Sequence, residues 1–279
     1  MAVTFKPGGT KEEKGSIPVG RSIVLYGPPF SGKTSTLQND TNLRILLIDM
    51  DKNSSVVEET GNVDILGCDT FEDYLAIKEG IRAGKYVIPG GPAIEMSYDL
   101  YVIDSFTRFE ELIKAYVVEK YAPKRKREIE GKFGAQTDWQ DLQDHEVREV
   151  REMQGMTRRV GKPINVLWIG HDMEATNSDD FNRKLQLRLQ GKYAAPGIMG
   201  AVDAVFYMFK QVFPATGEKP ERIGFGIYTM DQGAAQAEAR LSVAKRKELS
   251  KVVWFPKWGD ILRTLGATNL PPVEENAKK

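Results

Sequence analysis

The segment GPPFSGKT, residues 27–34, combines the residue types and the spacing of a loop that binds phosphate. It fits the pattern G-x-x-x-x-G-K-[ST], in which glycines let several backbone N–H groups point into one concavity. Lys33 would reach the β- and γ-phosphate oxygens, and the Thr34 hydroxyl would join the coordination shell of Mg²⁺. The alternative is a Gly/Pro turn with a surface lysine, which the strand-like segment before the loop disfavours. The pattern predicts binding of ATP and Mg²⁺ through Gly27, Pro28, Pro29, Phe30, Ser31, Gly32, Lys33, Thr34 and Ser35.

Three aspartates that follow apolar segments are candidates for chemistry at the phosphates. Asp104 directly follows LYVI, where a carboxylate that holds the metal belongs, although it could instead cap a helix beginning near Phe106. Asp49 and Asp51 end the segment RILLIDMD, and their side chains point the same way if the extended conformation continues. One of the two would then orient or deprotonate water. A strand-end turn rich in Asp is the alternative.

Short apolar segments must position these groups. They span residues 22–26, 44–48, 100–103 and 164–169, and a less regular segment spans 63–66. The four regular segments are largely apolar at both alternating positions, which predicts strands covered on both faces. Between them, residues 106–120 carry an apolar stripe with helical spacing, and a second helix is predicted to begin at Thr137. Strands that alternate with helices predict a parallel α/β sheet.

The pattern changes beyond residue 200 to strand-like segments with short connections. AVFYMFK, IGFGIYTM and ARLSVAK, residues 204–210, 223–230 and 239–245, predict an antiparallel extension of the sheet. The simplest organisation is one domain. It would span residues 21–268, between a flexible N-terminal arm at 1–20 and a polar tail at 269–279.

The composition is that of an ordinary globular protein. Its 279 residues are 41% hydrophobic and 28% charged, and 39 basic side chains balance 39 acidic ones, which argues against a nucleic-acid-binding surface over the whole molecule. The single cysteine, Cys68, excludes an internal disulfide and a thiolate metal site. No apolar stretch has the length of a membrane span or the character of a signal peptide. We therefore expect a cytoplasmic protein without a membrane partner.

The order of the segments GPPFSGKT, ILLIDMD, YVIDSF, VLWIGHD and SVAKRK resembles the RecA-like ATPase core, over roughly residues 21–265. The resemblance implies an α/β fold, a RecA-like P-loop NTPase core with a mainly parallel sheet, helices on both faces and an antiparallel C-terminal extension. It assigns metal binding to Asp104 together with Thr34. It assigns activation of water to Asp51, where RecA proteins usually carry the longer Glu.

The strand that ends at His171 resembles the family's strand whose terminal polar residue senses the γ-phosphate and leads into a DNA-binding loop. RecA has Gln at that position, and the alternative for His171 is a strand-end histidine bonded to backbone. The loop after it, residues 172–200, is long and polar. Its cations would track a single-stranded DNA backbone, unless they form the solvated face of a basic helix. They are Arg183, Lys184, Arg188 and Lys192.

Lys245 and Lys247 in SVAKRK resemble two lysines that, in RecA-like filaments, reach the nucleotide of the neighbouring subunit. In that role they would stabilise charge on the transferred phosphoryl group, and hydrolysis would depend on assembly. A basic cluster at a strand end is the alternative. The resemblance thus implies a homo-oligomer, either a ring or a filament.

The compact size resembles the phage RecA-like ATPases of the Sak group, and if a phage encodes the protein, the cytoplasm in which we expect it is that of the host. This resemblance implies a DNA-dependent ATPase that acts on single-stranded DNA in recombination or annealing, with a single-strand-binding protein as a further partner. Two other functions stay open. One is a small-molecule kinase on a P-loop fold, and the other is a nucleotide-switched binding protein with little turnover.

Overall fold

The computed structural model describes residues 18–121, 136–176, 183–190, 194–216, 220–232, 235–241 and 246–272. The strands are β1 (Ser22–Gly27), β2 (Ile45–Asp49), β3 (Val63–Gly67), β4 (Lys85–Val87), β5 (Ala93–Glu95), β6 (Leu100–Asp104), β7 (Val166–Thr176), β8 (Arg183–Leu187), β9 (Ala204–Phe213), β10 (Arg222–Tyr228), β11 (Glu238–Ala239) and β12 (Val252–Trp254). The α-helices are α1 (Phe71–Ala83), α2 (Phe106–Tyr121), α3 (Gln136–Met156), α4 (Ala194–Met199) and α5 (Trp258–Thr264), and 3₁₀-helices span Thr34–Asn39 and Ser54–Val56.

The main sheet has the order β12-β10-β9-β1-β7-β6-β2-β3, and its six strands from β9 to β3 are parallel. All six residues of β1 are buried, as the apolar sequence at both alternating positions predicts. β8 pairs antiparallel with the outer part of β7, and β11 pairs with β9. The predicted α/β fold with a mainly parallel sheet is confirmed. In a parallel sheet the carboxyl ends of the strands share one edge, where ligands bind.

The two faces of the sheet bury separate cores. On one face Val24 and Tyr26 of β1 pack with the apolar sides of α1, α2, α3 and α4. On the other face Ile23 and Leu25 pack with the 3₁₀-helix after β1 and with α5. Helices therefore cover both faces, although most of them lie on the first. None of the described helices has the length and hydropathy that a bilayer span requires.

The helices follow the predicted patterns closely. The stripe predicted at residues 106–120 is α2, and the helix predicted from Thr137 is α3, which begins one residue earlier. Thr70 caps α1 by accepting from the backbone N–H of Asp73, whose side chain accepts from the backbone of Thr70 in return. Gly84 ends α1 with a φ of +80°, a conformation that favours glycine.

The C-terminal extension differs from the prediction in two ways. β9 is parallel to β1, because the chain crosses over through α4 before entering it, so the antiparallel part begins at β10. Within the described residues of 239–245, only Ala239 belongs to a strand, because the N–H of Leu241 bonds back to the carbonyl of Ala239 and turns the chain away. The third strand of the extension is β12, which the sequence did not predict.

Candidate nucleotide-binding site

The phosphate loop connects β1 to the 3₁₀-helix that begins at Thr34, and glycine is required at both of its ends. A Cβ atom on Gly27 would lie 2.3 Å from the carbonyl oxygen of Met208, which no side chain tolerates. Gly32 has a φ of +85° and lies against the ring of Phe225. Between them the N–H of Ser31 donates to the carbonyl of Pro28 and closes a turn, at which Phe30 is almost fully exposed. The loop therefore has the curl that a phosphate cradle requires.

The Lys33 ammonium is buried inside the loop. It donates to the carbonyl oxygen of Gly27 at 3.0 Å and to that of Pro28 at 2.8 Å. Burial lowers the pKa of Lys33 to about 8, although the charges of Asp104 and Asp172 act in the opposite direction. Lys33 is thus held at the loop by bonds that phosphate oxygens would replace.

Thr34 and Asp104 meet at the edge of the sheet. The Thr34 hydroxyl donates to Oδ2 of Asp104 at 2.6 Å, and Asp104 is the last residue of β6. Burial raises the pKa of Asp104 to about 6, with the negative charge of Asp51 adding to the effect and the Thr34 hydrogen bond opposing it. Ser105, and not Asp104, caps α2, because the Ser105 hydroxyl accepts from the N–H of Arg108 in the first turn of the helix.

This oxygen pair fits Mg²⁺. Magnesium usually takes one or two protein oxygens and completes its shell with water and phosphate oxygens, and Thr34 and Asp104 supply one hydroxyl and one carboxylate next to the loop. The described residues hold no group of three His, Cys, Asp or Glu side chains that could form an all-protein metal cage. A metal held partly by a bound triphosphate agrees with both observations.

The two aspartates of RILLIDMD have different roles. Both carboxylate oxygens of Asp49 accept backbone N–H groups, from Lys52 at 2.8 Å and from Ser54 at 3.2 Å, so Asp49 holds the turn after β2. No described residue forms a hydrogen bond with Asp51. Its negative charge adds to the rise in the pKa of Asp104. At His171 the same charge opposes a larger lowering of the pKa. The structure therefore leaves Asp51, and not Asp49, as the carboxylate available to a water molecule.

His171 lies on β7 directly beside the loop, in register with Gly27 of β1. Its Nδ1 atom is buried and has no hydrogen-bond partner among the described residues. Burial lowers the pKa of His171, and the charge of Lys33 lowers it further. The alternative of a histidine satisfied by backbone therefore does not hold for Nδ1 among the described residues.

The predicted DNA-binding cations follow β7. Segment 183–187 is strand β8 and not a helix, so the alternative of a basic helix face is wrong for these residues. The structure describes the backbone of Arg183 and Lys184 but not their side chains, and Lys192 lies outside the described residues. Arg188, just after β8, is exposed, and its N–H donates to the carbonyl of His171 at 2.8 Å.

The predicted lysine pair of SVAKRK is only partly covered. Lys245 lies outside the described residues, and Lys247 is exposed in the turn that follows. Between them Arg246 makes a long contact, 3.9 Å, with Glu238 of β11. The described residues do not bring Lys247 to the phosphate loop of the same chain.

Sequence reasoning did not predict an aromatic residue close to the loop. Phe255 follows β12 with a φ of +48° and is 55% exposed. The next residues dock on the 3₁₀-helix after the loop, since Pro256 accepts from Asn39 at 3.1 Å and the Trp258 indole donates to Thr36 at 3.0 Å. The N–H of Phe255 donates to the carbonyl of Phe225, whose ring lies against Gly32, so Phe255 is close to the loop in the fold although more than 200 residues of chain separate the two. Only tertiary structure could reveal it.

One comparison with known proteins finds a relationship. A family model described as an AAA domain, AAA_24, matches residues 20–232, and this range contains the phosphate loop, Asp51, Asp104 and His171. No curated protein matches the chain.

Proposed function

Because the chain belongs to the AAA_24 family of AAA domains, which makes it a P-loop ATPase domain, we propose that it hydrolyses Mg²⁺-ATP in response to single-stranded DNA. The biological setting that we propose is recombination or annealing of the phage type. One observation carries the DNA part of the proposal. β7 runs without a break from His171, beside the phosphate loop, into the hairpin with β8 on which Arg183 and Lys184 lie.

The nucleotide would be held by the phosphate loop. The ammonium of Lys33 would leave the carbonyls of Gly27 and Pro28 and donate to phosphate oxygens. Thr34 and Asp104 would hold Mg²⁺, which neutralises phosphate charge when it is bound. The exposed ring of Phe255 offers a surface on which the base would stack.

Attack on the γ-phosphate requires a positioned water molecule. Asp51 is the carboxylate without a structural partner at this edge, and its charge reaches both Asp104 and His171. It would accept a hydrogen bond from the water and orient it, which is the main demand of phosphoryl transfer. The unpartnered Nδ1 of His171 would bond a phosphate oxygen and so report whether the γ-phosphate is present.

DNA would act through the hairpin. A strand on the cations of β8 and on Arg188 changes the position of β7, and with it the position of His171. The expected result is a faster reaction when DNA holds the hairpin in one arrangement. Assembly would add Lys245 and Lys247 of a neighbouring copy, which supply positive charge to the transferred phosphoryl group.

The test is phosphate release with and without a single-stranded oligonucleotide. Wild type and the control Lys85→Ala, an exposed residue of β4, are expected to respond to DNA, and Lys33→Ala is expected to lose both ATP binding and turnover. Turnover only in the presence of a small acceptor would instead indicate a kinase. Binding without appreciable turnover would indicate a nucleotide switch.

A further inference from the structure

The antiparallel extension carries five aromatic side chains on one side, which we call the aromatic face: Tyr207, Phe209, Phe213, Tyr228 and Trp254. The strand register puts them together, since Phe209 lies opposite Gly226, which in turn lies opposite Trp254. The rings form a continuous series of contacts. Phe209 stacks on Tyr228 with 4.2 Å between centroids, and Trp254 lies 5.2 Å from both Phe209 and Phe213.

Two glycines leave room for the rings of Phe209 and Phe213 over the backbone of β10, although the rings of the face differ in tilt, with 75° between the planes of Phe209 and Trp254. A Cβ atom on Gly224 would lie 2.6 Å from the ring of Phe213, and one on Gly226 would lie 2.8 Å from the ring of Phe209. The rings therefore cover the backbone of β10 and stay at the surface. Trp254 is 38% exposed, and Phe209 and Phe213 are half-buried. Partly exposed aromatic rings on a sheet are side chains on which unpaired bases stack.

The charge of this face suits a polyanion. The same side of the sheet carries five further residues of β9, β10 and β12, which are Gln211, Arg222, Gly224, Gly226 and Val252. These positions hold one cation and no carboxylate. The guanidinium of Arg222 lies 5.2 Å from the ring centroid of Phe213, so it stands where a phosphate beside a stacked base would meet it.

The face is continuous with the hairpin of the proposed function. The Tyr207 hydroxyl donates to Oδ2 of Asp172, the residue after His171, at 3.0 Å. The Tyr207 ring also contacts Tyr26 of β1, with 5.2 Å between centroids. A strand bound to β7 and β8 would therefore come close to the aromatic face, and its path would pass segment 235–237, whose Ala235 bridges to Leu185 of β8.

We propose that the aromatic face binds the bases of single-stranded nucleic acid by stacking, while Arg222 meets a phosphate. This inference rests on the proposed function, because it extends the same DNA path beyond the hairpin. It differs from it in chemistry, since the hairpin supplies cations and the face supplies rings. A second copy of this chain is the other occupant that such a surface could take, and the test separates the two.

The experiment measures binding by fluorescence anisotropy with two labelled strands. One is an oligothymidylate of about 16 nucleotides and the other is an abasic strand of the same length and charge. Wild type is expected to prefer the strand with bases. Trp254→Leu is expected to lose about 10-fold in affinity for the oligothymidylate and little for the abasic strand. Ile223→Ala, which changes an exposed residue on the opposite side of β10, is the matched control and is expected to bind as wild type does.

Each other outcome overturns the inference in a recognisable way. If wild type binds DNA but does not distinguish the two strands, or if Trp254→Leu binds as wild type does, the aromatic face is not a stacking surface and the proposed function stands. If wild type binds neither strand, the DNA part of the proposed function fails as well. If Trp254→Leu changes the elution volume in gel filtration and loses DNA affinity only with assembly, the face joins copies of the chain. The wild-type comparison needs no variant, so it holds even if Trp254→Leu does not fold.

Discussion

Gly27 and His171 are register partners across β1 and β7, so the residue that opens the phosphate loop lies beside a histidine whose buried Nδ1 has no hydrogen-bond partner in the described part of the chain. Burial lowers the pKa of that histidine, and the charge of the neighbouring Lys33 ammonium lowers it further. The imidazole is therefore neutral at pH 7, and it can either donate or accept a hydrogen bond. A neutral side chain at this place can report a phosphate without repelling Lys33.

His171→Ala is expected to abolish stimulation by single-stranded DNA while ATP binding stays within about 3-fold of wild type. The physical reason is that β7 carries the histidine and the hairpin on one strand. His171→Gln keeps a polar group at the same place and is expected to restore part of the stimulation. Phosphate release with and without DNA measures the effect, and equal stimulation in wild type and His171→Ala would contradict the sensor role.

Asp51 and Asp49 form a natural pair of variants. Asp51→Asn is expected to lower turnover about 100-fold, because the amide is a poorer acceptor for water, with little change in stability. Asp49→Asn is expected to lower the free energy of unfolding by about 1–3 kcal/mol, because its side chain accepts from Lys52 and Ser54.

Steady-state turnover and urea unfolding distinguish these two variants. The assignment of Asp51 is wrong if its variant loses stability and keeps turnover. It is equally wrong if Asp49→Asn loses turnover without a loss of stability.

Glu146 predicts a dependence of stability on pH. It is completely buried in α3, and neither of its oxygens has a donor among the described residues apart from the carboxyl of Glu110 in α2. Burial, and then the charge of Glu110, raise the pKa of Glu146 well above its ordinary value, against the smaller opposing effect of Lys114. The folded state therefore holds a proton that the unfolded chain releases near pH 4.5.

A raised carboxyl pKa gives a contribution to stability that is complete below the unfolded pKa and is lost as pH rises through the folded pKa. Glu146→Gln replaces the shared proton with an amide N–H that can donate to Glu110 at any pH. The variant is expected to match wild type in melting temperature near pH 4 and to exceed it increasingly as the pH rises from about 4.5 towards the raised pKa of the folded state. Thermal unfolding across this range is the measurement, and parallel curves would show that the two carboxyls do not share a proton.

Lys245→Ala is expected to abolish stimulated turnover and to leave ATP binding near wild type, with Arg246→Ala as the control. If the lysine acts on the neighbour's nucleotide, mixing Lys245→Ala with Lys33→Ala recovers activity. The first variant then binds ATP, and the second supplies the lysine. Equal mixing is expected to give about a quarter of wild-type turnover, since one interface in four has the productive order. No recovery, or an equal loss of ATP binding, would exclude action between subunits.

Phe255→Ala is expected to weaken ATP binding about 10-fold, because it removes an exposed ring just before the segment that docks on the 3₁₀-helix after the phosphate loop. Phe255→Tyr keeps a ring and is expected to bind ATP as wild type does. Inorganic triphosphate lacks a base, so its affinity should not change in either variant. Calorimetry with both ligands gives the comparison, and an equal loss for ATP and triphosphate would assign Phe255 to the loop's structure instead.

The parts of the site that the sequence predicts are those in which local chemistry fixes the geometry. The spacing from Gly27 to Thr34 defines the loop, and the apolar residues before Asp104 define a strand buried on both faces. Their meeting at 2.6 Å follows because parallel strands end at one edge. The 3.6-residue stripe of α2 is equally local.

The remaining features depend on contacts that local patterns do not contain. The same sequence motif carries Asp49 and Asp51, and only the turn at Lys52, with a φ of +57°, directs one of them to backbone. The direction of β9 depends on the crossover through α4. Its apolar sequence pattern is compatible with a parallel and with an antiparallel strand, so the pattern could not predict the direction. The aromatic face depends on the register between β9, β10 and β12, and the lengths of the turns between them were not enough to predict that register.

The hydrogen bonds from Lys33 to the carbonyls of Gly27 and Pro28 make the affinity for ATP a difference between two sets of contacts. Each phosphate oxygen that takes the ammonium must first displace an acceptor that the chain already provides. The internal acceptors thus set a threshold, so weak anions such as free phosphate compete poorly, while a triphosphate with many simultaneous contacts exceeds it. The resting position of this side chain thus lowers the affinity for every phosphate ligand by the same factor, and the further contacts that only a triphosphate makes decide how tightly it binds.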